Sequence, residues 1–143
     1  MLSPAAVTGT LSLRRKKLKV LGRHALVDAY ECDPALLNDF EYVKSFLHDV
    51  TKRMNLTIVQ SVFHRFSPQG VSGVIVISES HLSVHTWPEH GYAAFDLYSC
   101  DEHTPLDRFP AMLKEGLKAN RVEMRKHPRG RLPELETELE QAS

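Results

Sequence analysis

The sequence predicts an α+β fold: an antiparallel sheet with helices packed on one face, as a two-layer sandwich. Three observations carry this. Short runs of β-branched and aromatic residues crowd the middle of the chain and are separated by tight turns. Two amphipathic stretches with helical spacing stand apart from those runs. The 143 residues, 42% hydrophobic and 25% charged, suffice for one domain without metal or disulfide staples.

Taken in order, residues 1–19 read as a flexible arm. Met1 to Leu13 show no period, and the basic run Arg14-Arg15-Lys16-Lys17 with Lys19 is short enough to be a solvated segment rather than an anion site. The domain proper is expected over 20–127. His24 to Tyr30 reads as a first strand. Asp33-Pro34 starts a helix, with Asp as N-cap and Pro at the first helical position. Leu36, Phe40, Val43, Leu47, Val50 and Met54 then share one helix face, and Asn55 caps its end. Strands follow over Leu56–Phe66, Val71–Ser78, Leu82–Trp87 and Tyr92–Cys100, with turns at Ser67-Pro68-Gln69-Gly70 and Pro88-Glu89-His90-Gly91. Pro105 to Lys118 reads as a second helix that buries Leu106, Phe109, Met112, Leu113 and Leu117. Arg121 to Lys126 adds a last strand. Residues 128–143, with Glu134, Glu136, Glu138 and Glu140, read as an acidic tail.

Helices on one face leave the other sheet face open, and it carries Val62, Val74, Val76 and Ala94. An apolar sheet face of that size predicts a homodimer with the two sheets facing each other. Lysine plus arginine equals aspartate plus glutamate at 18 each, which gives no basis for a nucleic-acid partner. Two distant cysteines, Cys32 and Cys100, read as free thiols in a reducing compartment. With no apolar run of membrane-spanning length and no signal-peptide core, the expectation is a cytoplasmic protein without a membrane partner.

The chemistry concentrates between Ser78 and Glu89, where hydroxyls, carboxylates and imidazoles interrupt two strands. His81, His85, His90 and Glu89 lack the compact spacing of a zinc site, so no metal is expected. Ser80 with His85 suggests a hydrolase, but no G-x-S-x-G elbow is present. Cys100 at a strand end reads as a nucleophile, a proton donor or inert packing; Cys32 reads as inert.

The run Glu79-Ser80-His81-Leu82-Ser83-Val84-His85-Thr86-Trp87-Pro88-Glu89, followed by Gly91-Tyr92-Ala93-Ala94, closely resembles the processing region of the bacterial-type S-adenosylmethionine decarboxylases. The likeness begins near Leu21-Gly22-Arg23-His24, passes Tyr30-Glu31-Cys32-Asp33 and reaches Cys100. The resemblance implies a proenzyme that cuts itself between Glu79 and Ser80 into a β chain 1–79 and an α chain 80–143. Ser80 would become a covalent pyruvoyl group, with no pyridoxal phosphate and no metal, and would form a Schiff base with the amine of S-adenosylmethionine. It further implies His85 in proton transfer during processing, Ser72 in support, Cys100 as proton donor to the substrate, Glu89 on the ribose hydroxyls and Phe66 stacked on adenine. The product would feed polyamine synthesis. The chain departs from the family at Asp101, where Gly commonly follows the cysteine. Two alternatives stand beside this reading: the same chemistry on arginine or ornithine, and a non-catalytic regulatory homologue.

Overall fold

The computed structural model describes residues 20–133. The basic arm and the acidic tail from Glu134 lie outside them. Six strands, β1 (Gly22–Tyr30), β2 (Ile58–Arg65), β3 (Val71–Ile77), β4 (Ser80–Trp87), β5 (Tyr92–Ser99) and β6 (Arg121–Arg129), form one sheet in the order β2-β3-β4-β5-β1-β6. The pairings of β2 with β3, β3 with β4, β4 with β5 and β5 with β1 are antiparallel. The helices are α1 (Pro34–Leu37), α2 (Phe40–Arg53) and α3 (Phe109–Leu117), with short 3-10 turns at Pro88–His90 and Leu106–Arg108. Arg23–His127 form one compact unit, which carries the site. In the described residues flanking it, the Leu21 amide donates to the Gly130 carbonyl at 3.4 Å.

Period-two alternation decides which strand residues enter the core. Ala25, Val27 and Ala29 of β1, Ile75 and Ile77 of β3, and Phe95 and Leu97 of β5 are buried against Leu37, Leu47, Val50, Leu113 and Leu117 of the helices. Phe95 meets Phe109 edge to face, with ring centroids 6.1 Å apart. Phe63 on β2 packs over Gly73 on β3, where an added Cβ would lie 2.2 Å from the ring. The helices therefore cover one face, as the sequence predicts. The other face exposes Val62, Val74, Val76 and Trp87. Among the described residues no helix is long and apolar enough to cross a membrane.

Three details differ from the sequence expectation. The first helix is two. Asp33 caps α1 through Ala35, the chain breaks at Asn38, and Asp39 caps α2 through the Tyr42 amide at 3.0 Å. The break rotates Leu37, not Leu36, into the core. The second helix begins as a 3-10 turn and becomes α-helical only at Phe109. The last strand runs to Arg129 rather than Lys126. Its Pro128 is compatible with a strand because β6 lies at the sheet edge, the place in a sheet where proline is tolerated.

Asp39→Ala removes the cap that restarts the helix. It should lower unfolding free energy by about 1 kcal/mol in urea titration. An unchanged midpoint would mean that the Asn38–Asp39 break is held by packing alone.

Candidate active site

The β3–β4 hairpin places Glu79 and Ser80 at its tip. Ser80 pairs with Ile77 on β3 and with Ser99 on β5, so Cys100 emerges beside the Glu79-Ser80 bond. The Cys100 amide donates to the Glu79 carbonyl at 2.9 Å. Thr57 holds the Glu79 carboxylate, through its amide at 3.1 Å and its hydroxyl at 3.4 Å, and its carbonyl accepts from the Ser78 amide at 2.9 Å. Ser80 has φ of 153°, a value L-residues rarely adopt. Such backbone costs on the order of 1–3 kcal/mol and collects at functional sites.

Cys100 is an exposed free thiol, whereas Cys32 is buried. Burial pushes the Cys32 thiol up to about 11, so it stays protonated, as an inert packing residue would. The loop after Cys100 is closely tied. Ser99 and Thr104 hydroxyls lie 2.7 Å apart, and the Asp101 amide donates to Ser99 Oγ at 3.1 Å. The Asp101 carboxylate accepts from the His103 amide at 2.9 Å. Asp101 is not among the residues with positive φ, so this turn makes no demand that only glycine meets.

Ser72 and His85 form the second group. They pair directly across β3 and β4, and Ser72 Oγ lies 2.8 Å from His85 Nδ1. If the imidazole proton sits on Nε2, the hydroxyl donates to Nδ1 and the N–H is left to act. Trp87 follows on the same face, its ring 6.4 Å from His85. Glu89 is exposed in the 3-10 turn that Gly91 ends in left-handed conformation, with φ of 58°. Phe66 is 47% exposed just beyond β2, edge-on to His64. These residues do not meet Ser80. His85 is five residues along the same strand, about 16 Å away at the rise of a β-strand. Within one chain the predicted site is thus two half-sites toward opposite ends of β4.

Between them lies a cluster that the sequence reading does not contain. Asp96 on β5 accepts from His24 on β1 at 2.6 Å and from His81 on β4 at 2.8 Å, while the Ser83 hydroxyl donates to its other oxygen. The three metal-capable groups lie within 4.8 Å of one another. Both imidazole nitrogens approach the same carboxylate oxygen at hydrogen-bond distance, as two N–H donors do. Partial burial works to raise the Asp96 pKa. The hydrogen bonds from Ser83, His24 and His81, with the His81 charge, outweigh it and hold the carboxyl below the ordinary range.

A family model described as S-adenosylmethionine decarboxylase matches residues 23–130. The chain belongs to the S-adenosylmethionine decarboxylase family. It is 48% identical over 118 residues to the S-adenosylmethionine decarboxylase proenzyme of Thermotoga maritima, covering 82% of this chain and 91% of that one. To the Bacillus cereus S-adenosylmethionine decarboxylase proenzyme 1 it is 40% identical over 113 residues, covering 79% and 87%. The crystal structure of the adenosylmethionine decarboxylase from Aquifex aeolicus superposes with a TM-score of 0.74 at 35% identity, covering 81% of this chain and 96% of that chain. The fold of this decarboxylase is therefore the family's fold, and its reaction class is that of a carboxy-lyase.

The sequence singles out the expected site residues of both half-sites in this S-adenosylmethionine decarboxylase family member, but not Thr57, His24 or Asp96. Alternation along β1 and β5 carries a partial signal: His24 and Asp96 sit at open-face positions of strands whose other face is apolar. Their contact needs the β5–β1 register, which no single-strand pattern supplies. The depressed Asp96 pKa contributes stability above the unfolded-state value near 4 and loses it as pH falls through the lower, folded value. Asp96→Asn should therefore be less stable than the parent at pH 7, with the gap closing as pH drops below about 4. A gap independent of pH, in thermal melts across that range, would assign Asp96 to packing.

Proposed function

We propose that the chain is a proenzyme that cuts itself at Glu79-Ser80. The cut protein would then decarboxylate S-adenosyl-L-methionine to S-adenosylmethioninamine, through a pyruvoyl group left at Ser80, for spermidine synthesis. The observation that carries this is the Cys100 amide on the Glu79 carbonyl, next to a serine with strained backbone. A donor already aimed at that oxygen stabilises the negative charge that develops when the carbonyl is attacked.

The Ser80 hydroxyl oxygen adds to the Glu79 carbonyl carbon, the peptide C–N bond breaks, and the Ser80 nitrogen takes up the proton. An ester has replaced the amide. Loss of the Ser80 Cα proton expels the Glu79 carboxylate from Cβ and leaves dehydroalanine. Water then yields the ketone and releases ammonia. His85, held by Ser72, is the group suited to these proton transfers. The Ser80 strain favours the change, since elimination makes Cα planar.

The pyruvoyl group supplies an electron sink for the pair left when carbon dioxide departs. Cys100 delivers a proton to the substrate α-carbon afterwards. Glu89 accepts from the ribose hydroxyls, and Phe66 offers an exposed ring for adenine. The presence of both favours the nucleoside substrate over arginine or ornithine, and two free thiols suit a reducing cytosol.

The separation of the half-sites supports a homodimer with open faces packed together. A two-fold axis through the middle of that face brings one protomer's Ser80 and Cys100 against its partner's His85, Ser72, Glu89 and Phe66, twice per dimer.

Intact mass should show two chains, the larger fragment ending at Glu79 and the other starting with pyruvoyl; Ser80→Ala should give one uncut, folded chain. Refolding Ser80→Ala together with His85→Ala should restore cutting, and only in the His85→Ala chain. A mixture that stays whole would place His85 and Ser80 in the same protomer's site. Cys100→Ala should cut but lose activity over time, as α chains accumulate alanine at their N-terminus. Steady turnover per folded molecule would reduce Cys100 to a space-filling residue.

A further inference from the structure

We propose that Arg23 is a positioning residue for both reactions of Cys100, an inference that rests on the self-cutting, pyruvoyl reading above. Its guanidinium Nη2 lies 3.1 Å from the Asp101 carbonyl, 3.0 Å from that of Glu102 and 2.9 Å from that of Thr104. These are all contacts across about eighty residues of sequence, from β1 to the loop that starts at Cys100. Three carbonyl oxygens aimed at one point repel one another unless a cation stands between them. Arginine suits the place because the two N–H groups of Nη2 are shared among the three oxygens and belong to a charge that is never lost.

The constraint acts on Cys100 from both sides. Before it, Ser99 is fixed in the ladder between Ser80 on β4 and Arg23 itself on β1. After it, the backbone from Asp101 to Thr104 closes on the guanidinium. Thr104 is buried and its amide returns to the Asp101 carbonyl at 3.2 Å, so the loop has little room to rearrange. Cys100 has two tasks in this geometry. Its amide faces the Glu79 carbonyl during cutting, and its thiol donates a proton during turnover. Both depend on where the Cys100 backbone sits, and neither involves Arg23 touching the reacting atoms.

The test uses the full chain with Arg23→Gln and Arg23→Lys. Self-cutting is followed as the first-order appearance of two chains after refolding, at a temperature where circular dichroism shows each variant folded. The mature enzyme is then scored for the fraction of α chains ending in alanine per turnover. Loss of charged hydrogen bonds in Arg23→Gln should slow cutting about tenfold. The alanine fraction should rise severalfold, and Arg23→Lys, whose ammonium can still reach two carbonyls, should fall between. A purely stabilising arginine would lower the melting temperature and leave both readouts at parental values; that result overturns the proposal. Should Arg23→Gln fail to fold, Arg23→Lys decides, since parental cutting and parental alanine fraction in that variant also overturn it. A parental chain that never cuts overturns this inference together with the pyruvoyl reading, whereas a parental chain that cuts beside an unaffected Arg23→Gln overturns this inference alone.

Discussion

The hydrogen bond between the Cys100 amide and the Glu79 carbonyl is the contact on which the rest depends. It exists because Ser80 and Ser99 pair in the β4–β5 ladder, which fixes the residues on either side of that pair. The same register aligns Leu82 with Leu97 and Val84 with Phe95 on the buried face. A slip by one residue would turn those apolar side chains outward. Core packing therefore enforces, through the strand period, the approach of a thiol-bearing loop to one particular peptide bond.

That dependence explains how one sheet carries both a core and a reactive surface. The helix-facing positions hold the apolar residues. The alternate positions hold Ser72, His85, Asp96, His81 and His24, and each finds a partner on a neighbouring strand. Around the His85 end, Trp87, Tyr92 and Tyr30 stack in sequence with centroid spacings of 5.4 Å, and the Arg121 guanidinium lies 4.0 Å over Tyr30. The Tyr92 hydroxyl donates to Asp28. Burial, with that bond and charge, pushes Tyr92 up to about 12 and keeps it a donor at any physiological pH. Polar groups already paired with one another on this face can be covered by another sheet without being stranded.

Much of this is legible in the chain. The strands follow from alternation, and the candidates Glu79, Ser80, His85 and Glu89 from one continuous motif, whereas Ser72, Phe66 and Cys100 are singled out by the family resemblance. The half-sites could also have been separated on paper, since five residues of strand part Ser80 from His85. Three features resisted. The Asn38–Asp39 break hides because Leu36 and Phe40 keep helical spacing across it, and only the cap at Asp39 reveals it. The strand through Pro128 depends on β6 being an edge, a property of topology. Arg23, Thr57 and Asp96 bond to partners that lie 13 to 81 residues away, so these contacts appear only once the strands are placed.

The strand order has a consequence for the proposed cut. Reading across the sheet, β2 and β3 precede Glu79, β4 and β5 follow it, β1 precedes it again, and β6 follows. The two products of the proposed cut would thus be interleaved, with β1 of one threaded between β5 and β6 of the other. That nick would fall at the first residue of β4, beside the hairpin turn, and three separate seams would hold the fragments together. Such a cut would change the covalent connectivity of the protein while leaving its mechanical integrity to the sheet.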